Sequence, residues 1–174
     1  MATEVRVLSH AVDQAGDVLD HVRPDQLGMR TPCGDWELAE LVDHLVATPD
    51  RFMTMMRGEQ PDWAADPPHV PESWGPAFRV AGDDLVHAWH QLEGEAPVPA
   101  DFQVAELALH TWDVASAIGY PVDRLDPEIA ERGLAFLRAN LTDDNRAPVF
   151  GPEVEAPAGA GPYERLAAFA GRQV

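Results

Sequence analysis

The run from Glu106 through His110 to Asp113 carries three side chains of metal-ligand type at helical spacing inside an apolar segment. At roughly 100° per residue, Gln103, Glu106, His110, Asp113 and Ala117 share one stripe about 80° wide. Val104, Leu107, Leu109, Trp112, Val114 and Ile118 cover most of the rest. A helix that is apolar nearly all round is buried, and its carboxylates and imidazole must then be paired or hold a cation. Metal sites in helical bundles are built from inward-projecting side chains on facing helices. Glu106 and His110, four residues apart, supply two ligands, and His44, at the edge of the apolar face of an earlier helix, supplies a third. Three protein ligands leave a coordination position open. Imidazole and carboxylate suit Zn²⁺, Ni²⁺, Fe²⁺ or Mn²⁺, and the spacing does not choose among them. Asp113, one turn beyond His110, is placed to orient a ligand or a substrate.

Other reactive residue types read more blandly. His87 and His90 stand three apart on a face with Asp83, Asp84 and Gln91, which marks a solvated surface. His10, His21 and His69 read as surface residues. Cys33 has only Arg30 near it in sequence to lower its pKa, so it reads as structural. Ser116 lies about 120° around the helix from His110, too far to form a hydrolytic triad with His110 and Asp113.

The elements that must position these groups follow from periodicity. Residues 3–22 carry Val5, Leu8, Val12, Ala15, Val18, Leu19 and Val22 at three- and four-residue spacing, a first amphipathic helix stopped by Pro24. Asp35 stands as an N-cap before a second helix containing Leu38, Leu41, Val42, His44 and Leu45, with Pro49 as a kink or restart and Gly58 as its end. The Pro-rich residues 59–73 form a loop, and Trp74, Phe78, Leu85 and Trp89 mark a third helix. The polar stripe lies on the fourth, about 101–118, closed by Gly119 and Pro121. A fifth spans about 126–141, residues 147–158 form a small extended segment, and a last short helix runs through Leu166 and Phe169. These spans predict a mainly α fold, an antiparallel helical bundle with short extra helices, as a single domain over residues 1–174.

Composition narrows the partners. A chain of 174 residues with a net charge of -18 repels phosphate backbones and anionic headgroups, so neither nucleic acid nor membrane is expected. All 12 basic residues are Arg, which excludes Schiff-base chemistry on lysine. One cysteine excludes an internal disulfide and a multi-Cys metal cage. The first residues show no secretory signal, and a cytoplasmic location is the expectation.

Thr31, Pro32, Cys33, Gly34, Asp35 and Trp36, followed by Leu41, Val42, Asp43, His44 and Leu45, and then by residues 106–119, together resemble the mycothiol-dependent maleylpyruvate isomerase N-terminal family of the DinB-like superfamily. The tail from Phe150 to Arg172 is similar to the end of its small stand-alone members, so the resemblance spans nearly the whole chain. It implies a DinB-like four-helix bundle in which His44, Glu106 and His110 are the metal ligands. Zinc is the metal it favours, with nickel, iron or manganese as alternatives. It further implies that the metal binds a low-molecular-weight thiol such as mycothiol, that the thiolate attacks a small electrophile, and that Arg172 supplies a basic group beside the site. Homodimers are common in that superfamily. Residues 93–101 are shorter than the usual connector, and the larger C-terminal domain of the full isomerase is absent, which points away from maleylpyruvate itself as substrate. The expected function is thus a thiol-using S-transferase or isomerase, with Asp113 and Arg172 as catalytic candidates. A metal or small-ligand-binding stress-response protein without catalysis and a metal-assisted hydrolase are the alternatives.

Overall fold

In a computed structural model describing residues 2–174, the chain is mainly helical. The helices are α1 (Ala2–Leu19), α2 (Leu38–Met56), α3 (Trp74–Gln91), α4 (Ala100–Ile118), α5 (Pro127–Asn140) and α6 (Pro162–Phe169). Helix α1 packs against α3 and α4, and α2 packs against the same two, so α1 to α4 surround a shared core. Helix α5 lies against α4, and α6 against α5 and α4. Among the described residues no helix is long and apolar enough to cross a membrane.

The three-and-four spacing of apolar residues explains what each helix buries. Leu8, Ala15 and Val18 of α1, Leu38, Leu41, Leu45 and Phe52 of α2, and Phe78 and Leu85 of α3 are all fully buried. Burial of each such Leu or Phe side chain contributes roughly 1.5–3 kcal/mol. Helix α4 is buried continuously from Leu107 to Ala115, including Thr111 and Asp113, as its nearly all-round apolar pattern requires. It can be so enclosed because α5 closes over its outer face. At Gly133 an added Cβ would lie 3.1 Å from Ala105 Cα, so the missing side chain lets α5 approach the α4 backbone.

Two features differ from the sequence reading. Glu37, not Asp35, precedes α2, and its N–H donates to the Glu40 carboxylate one turn on. Asp35 belongs instead to a loop closed by Thr31, whose hydroxyl donates to Trp36 O at 2.8 Å and accepts from Cys33 N at 3.2 Å. Of the two readings at Pro49 the restart is not seen, since α2 runs through it to Met56. Residues 147–158 contain no strand and make an irregular segment tied down by Val154 N donating to Ala168 O. The stop after α4 is as expected, since Gly119 takes a left-handed φ of 72°.

Candidate metal centre

Helices α2 and α4 bring His44, Glu106 and His110 together. His44 Nε2 lies 3.1 Å and His110 Nε2 3.2 Å from the same oxygen, Glu106 Oε1. Two ligand atoms about 2.1 Å from a tetrahedral ion stand roughly 3.4 Å apart, so these separations already approach a coordination sphere. One ligand atom from each of the three residues falls within 4.8 Å of the others. The cluster sits in a largely enclosed spot, with His44 8% and His110 7% exposed. Trp36 helps to enclose it, its ring 4.9 Å from that of His44 and 6.3 Å from that of His110. The loop closed by Thr31 is what places Trp36 there.

Behind His110 stands a buried relay. His110 Nδ1 donates to Asp113 Oδ2 at 3.1 Å. Arg172 forks onto the same carboxylate, Nε to Oδ1 at 3.2 Å and Nη2 to Oδ2 at 3.1 Å. Asp113 is fully buried, so this charge-assisted pairing stabilises a carboxylate that water cannot reach. Arg172 arrives there because of how α6 ends. Gly171, at a φ of 84°, accepts a turn in which its own N–H reaches Ala168 O and Arg172 N reaches Ala167 O. Gly151 lies against Gly171 so closely that a Cβ on Gly171 would stand 2.7 Å from the Gly151 backbone. Arg146 braces the same turn by donating to Phe169 O at 2.6 Å.

Charge follows from this geometry. Burial pushes the Glu106 carboxyl up, but the two imidazoles outweigh it through charge and hydrogen bonds, leaving it far below the usual carboxylate range. Burial likewise opposes protonation of His110, yet Glu106 and Asp113 on its two nitrogens hold it well above the ordinary histidine value. His44 goes the other way, lowered chiefly by burial.

The donor set fits a divalent ion, with one adjustment. Asp113 fixes a proton on His110 Nδ1, so displacing the Nε2 proton aims a lone pair at the centre, the usual second partner of a metal-bound histidine. His44 is set the opposite way. Arg51 Nη1 donates to His44 Nδ1 at 3.1 Å, which puts the ring proton on Nε2, facing Glu106. A neutral ring that ligates through Nε2 must move that proton to Nδ1 and release Arg51. Replacing Arg51 with glutamine, whose carbonyl accepts from Nδ1–H, is therefore expected to tighten metal binding about tenfold. Competition with a chelating dye checks this, and unchanged or weaker affinity would show that Arg51 does not oppose the ion.

Sequence reasoning missed three neighbours of the site. Arg51 is two helical turns beyond His44, a spacing that puts it on the same face of α2. Trp63 lies in the loop 59–73, its ring 6.3 Å from His44 with the Arg51 guanidinium 5.3 Å from its centre. Cys33 has only Arg30 near it in sequence, but Arg172 Nη2 reaches its Sγ at 3.3 Å, across 139 residues of chain. Local sequence held no sign of that contact. Cys33, His110 and Asp113 also group within 4.8 Å, but the Arg172 cation already occupies that space. His87 and His90 are exposed, as expected, and join no such group among the described residues. His10, His21 and His69 are exposed too, His69 pairing with Asp43 at 2.8 Å.

No protein-family model and no solved structure matches the chain. Two proteins of Mycobacterium tuberculosis do, Uncharacterized protein Rv0738 of strain H37Rv and Uncharacterized protein MT0763 of strain CDC 1551. Each is 33% identical over 182 residues, with 94% of this chain and 94% of the relative covered. At that identity over nearly the full length of both, the chain belongs to the same family as these mycobacterial proteins.

Proposed function

We propose that the protein is a metal-dependent enzyme of the DinB-like type that uses a low-molecular-weight thiol, such as mycothiol, in S-transfer to or isomerisation of a small electrophile. The observation that carries this reading is the convergence of His44 and His110 on Glu106, with Asp113 and Arg172 stacked behind His110. The ring of neighbours α1, α3, α2, α4 supports a four-helix bundle as its frame. A divalent ion held by His44, Glu106 and His110, zinc being the one the family resemblance favours, would keep a thiol in its reactive thiolate form.

The chain's own residues do the rest. His110 and His44 fix the position of the Glu106 carboxylate, while Asp113 fixes the tautomer of His110 and Arg172 neutralises Asp113. Asp113 is fully buried and spends both oxygens on Arg172 and His110, and Arg172 spends its fork on Asp113, so both serve as positioning residues rather than as proton carriers. Trp36 and Trp63 limit water around the imidazoles. Both Asp113 oxygens are engaged, which leaves the hydrolytic alternative without a free general base.

The test is calorimetric titration of metal-loaded protein with mycothiol, followed by thiol-dependent consumption of electrophiles from a panel. Binding near one thiol per chain with turnover of at least one compound is the expected outcome. Absence of both thiol binding and turnover would sink the reading, and binding without turnover would favour the non-catalytic alternative.

A further inference from the structure

The loop between α2 and α3 lies beside the metal centre with little to hold it there. None of residues 60–68 is buried. Ala64 N and Ala65 N donate to Asp62 Oδ1, inside the loop itself. Among the described residues, one hydrogen bond joins this stretch to the rest of the chain, Arg51 Nη2 to Ala65 O at 2.9 Å. The loop is otherwise fixed at its two ends, where Glu59 N donates to Thr54 O and where Val70 N and His69 meet Asp43. Trp63, 38% exposed, is the one aromatic side chain that the stretch lays against the bundle. Its ring is 6.3 Å from those of His44 and Phe52, with the Arg51 guanidinium 5.3 Å from its centre.

We infer that residues 60–68 form a strap over the His44 side of the centre, that Arg51 is its latch, and that a divalent ion in the centre opens it. The guanidinium is a rigid planar fork. Its Nη1 donates to His44 Nδ1 at 3.1 Å, while Nη2 holds Ala65 O and the group stands over Trp63. A neutral imidazole that ligates through Nε2 carries its proton on Nδ1, so two N–H groups would then face each other across that 3.1 Å. Arg51 must withdraw. Because its arms are rigidly joined, it cannot leave His44 and keep both Ala65 O and Trp63 where they are. The contact of Trp63 with Phe52 is then all that remains, too little to keep an exposed stretch closed. Coupling of this kind is reciprocal, so if Arg51 opposes the ion about tenfold, the ion opposes the closed strap about tenfold. The imidazole thus stays covered while the centre is empty and is uncovered once an ion gives a small ligand something to bind.

The coupling rests on the metal centre and not on the thiol chemistry. Chymotrypsin reads the strap directly, because Trp63 is the one aromatic residue in 60–68 and cleavage of a transiently opened segment tracks its open population. In the full-length protein, cleavage after Trp63, followed by mass spectrometry, is expected to accelerate about tenfold on loading with zinc. Arg51→Met keeps the stem without the donors. Metal-free, it should be cut about tenfold faster than metal-free wild type, and zinc should add less than about twofold. If that variant does not fold, 5-fluorotryptophan spectra of the wild type carry the test. The Trp63 resonance, assigned with Trp63→Phe, should move on zinc loading toward that of solvent-exposed fluorotryptophan. Equal or slower cleavage in zinc-loaded wild type, a folded Arg51→Met cut no faster than wild type, or an unmoved Trp63 resonance would overturn the inference. A protein that takes up no zinc would overturn it together with the centre. A strap that opens with zinc in a protein without thiol-dependent turnover would sink only the proposed reaction.

Discussion

Replacing His110 with alanine is expected to reduce metal content from near one equivalent per chain to below a tenth after dialysis. The substitution removes one of three ligands, and it also removes the group that links Glu106 to Asp113. Loss of an outer partner alone costs about 10- to 100-fold in affinity, so loss of a ligand costs more. Metal analysis of the variant beside wild type measures the effect, and equal content in the two would remove the site. The same cluster sets the pH dependence of wild-type loading. His110 is held protonated well above the usual histidine range by Glu106 and Asp113, and a metal must displace its Nε2 proton. Affinity should therefore rise with pH, by about tenfold per unit for one released proton, and level off once pH passes the raised His110 value. A flat profile through neutrality would mean that His110 is not the group displaced.

The periodic parts of this protein were open to sequence reasoning because they depend on local geometry. Glu106, His110 and Asp113 share a face by helical spacing alone, and His44 was recoverable because its helix had to present one edge to α4. The burial of Asp113 followed from the apolar residues around it. What local pattern could not supply was the back of the site. The contact of Arg172 with Asp113 spans 59 residues and that with Cys33 spans 139, and both depend on how Gly151 seats the Gly171 turn. The tail arginine entered only through resemblance to a family, and nothing near Cys33 in sequence announced a cation. Arg51 illustrates the middle case. Its spacing from His44 was visible, but whether it faced solvent or the imidazole depended on the loop 59–73, where Ala65 O accepts from its other nitrogen at 2.9 Å. Asp35 does not cap α2 for a similar reason, since Thr31 folds the loop on itself and leaves Glu37 at the helix start.

Arg172→Met is expected to be the most damaging change outside the ligands, because it takes from a fully buried carboxylate the guanidinium that meets both of its oxygens. Asp113 is completely buried, and Arg172, itself 7% exposed, meets both of its oxygens. Removing one partner of a buried pair costs about 3–5 kcal/mol. For a chain of this size that corresponds to a fall in Tm on the order of 10 °C. A purely structural role would end there. If Arg172 also holds Asp113 in the posture that sets the His110 tautomer, metal affinity should fall by about 10- to 100-fold at temperatures where the variant is folded. Lysine at 172 offers one charge without the fork, so it should recover part of the stability but less of the metal affinity. Pairing the variant with Asp113→Asn provides the internal control. Since the asparagine carries no stranded charge, the double variant should be more stable than Arg172→Met alone, while still binding metal poorly. A double variant no more stable than the single one would show that Arg172 stabilises the tail through packing and not through the buried carboxylate.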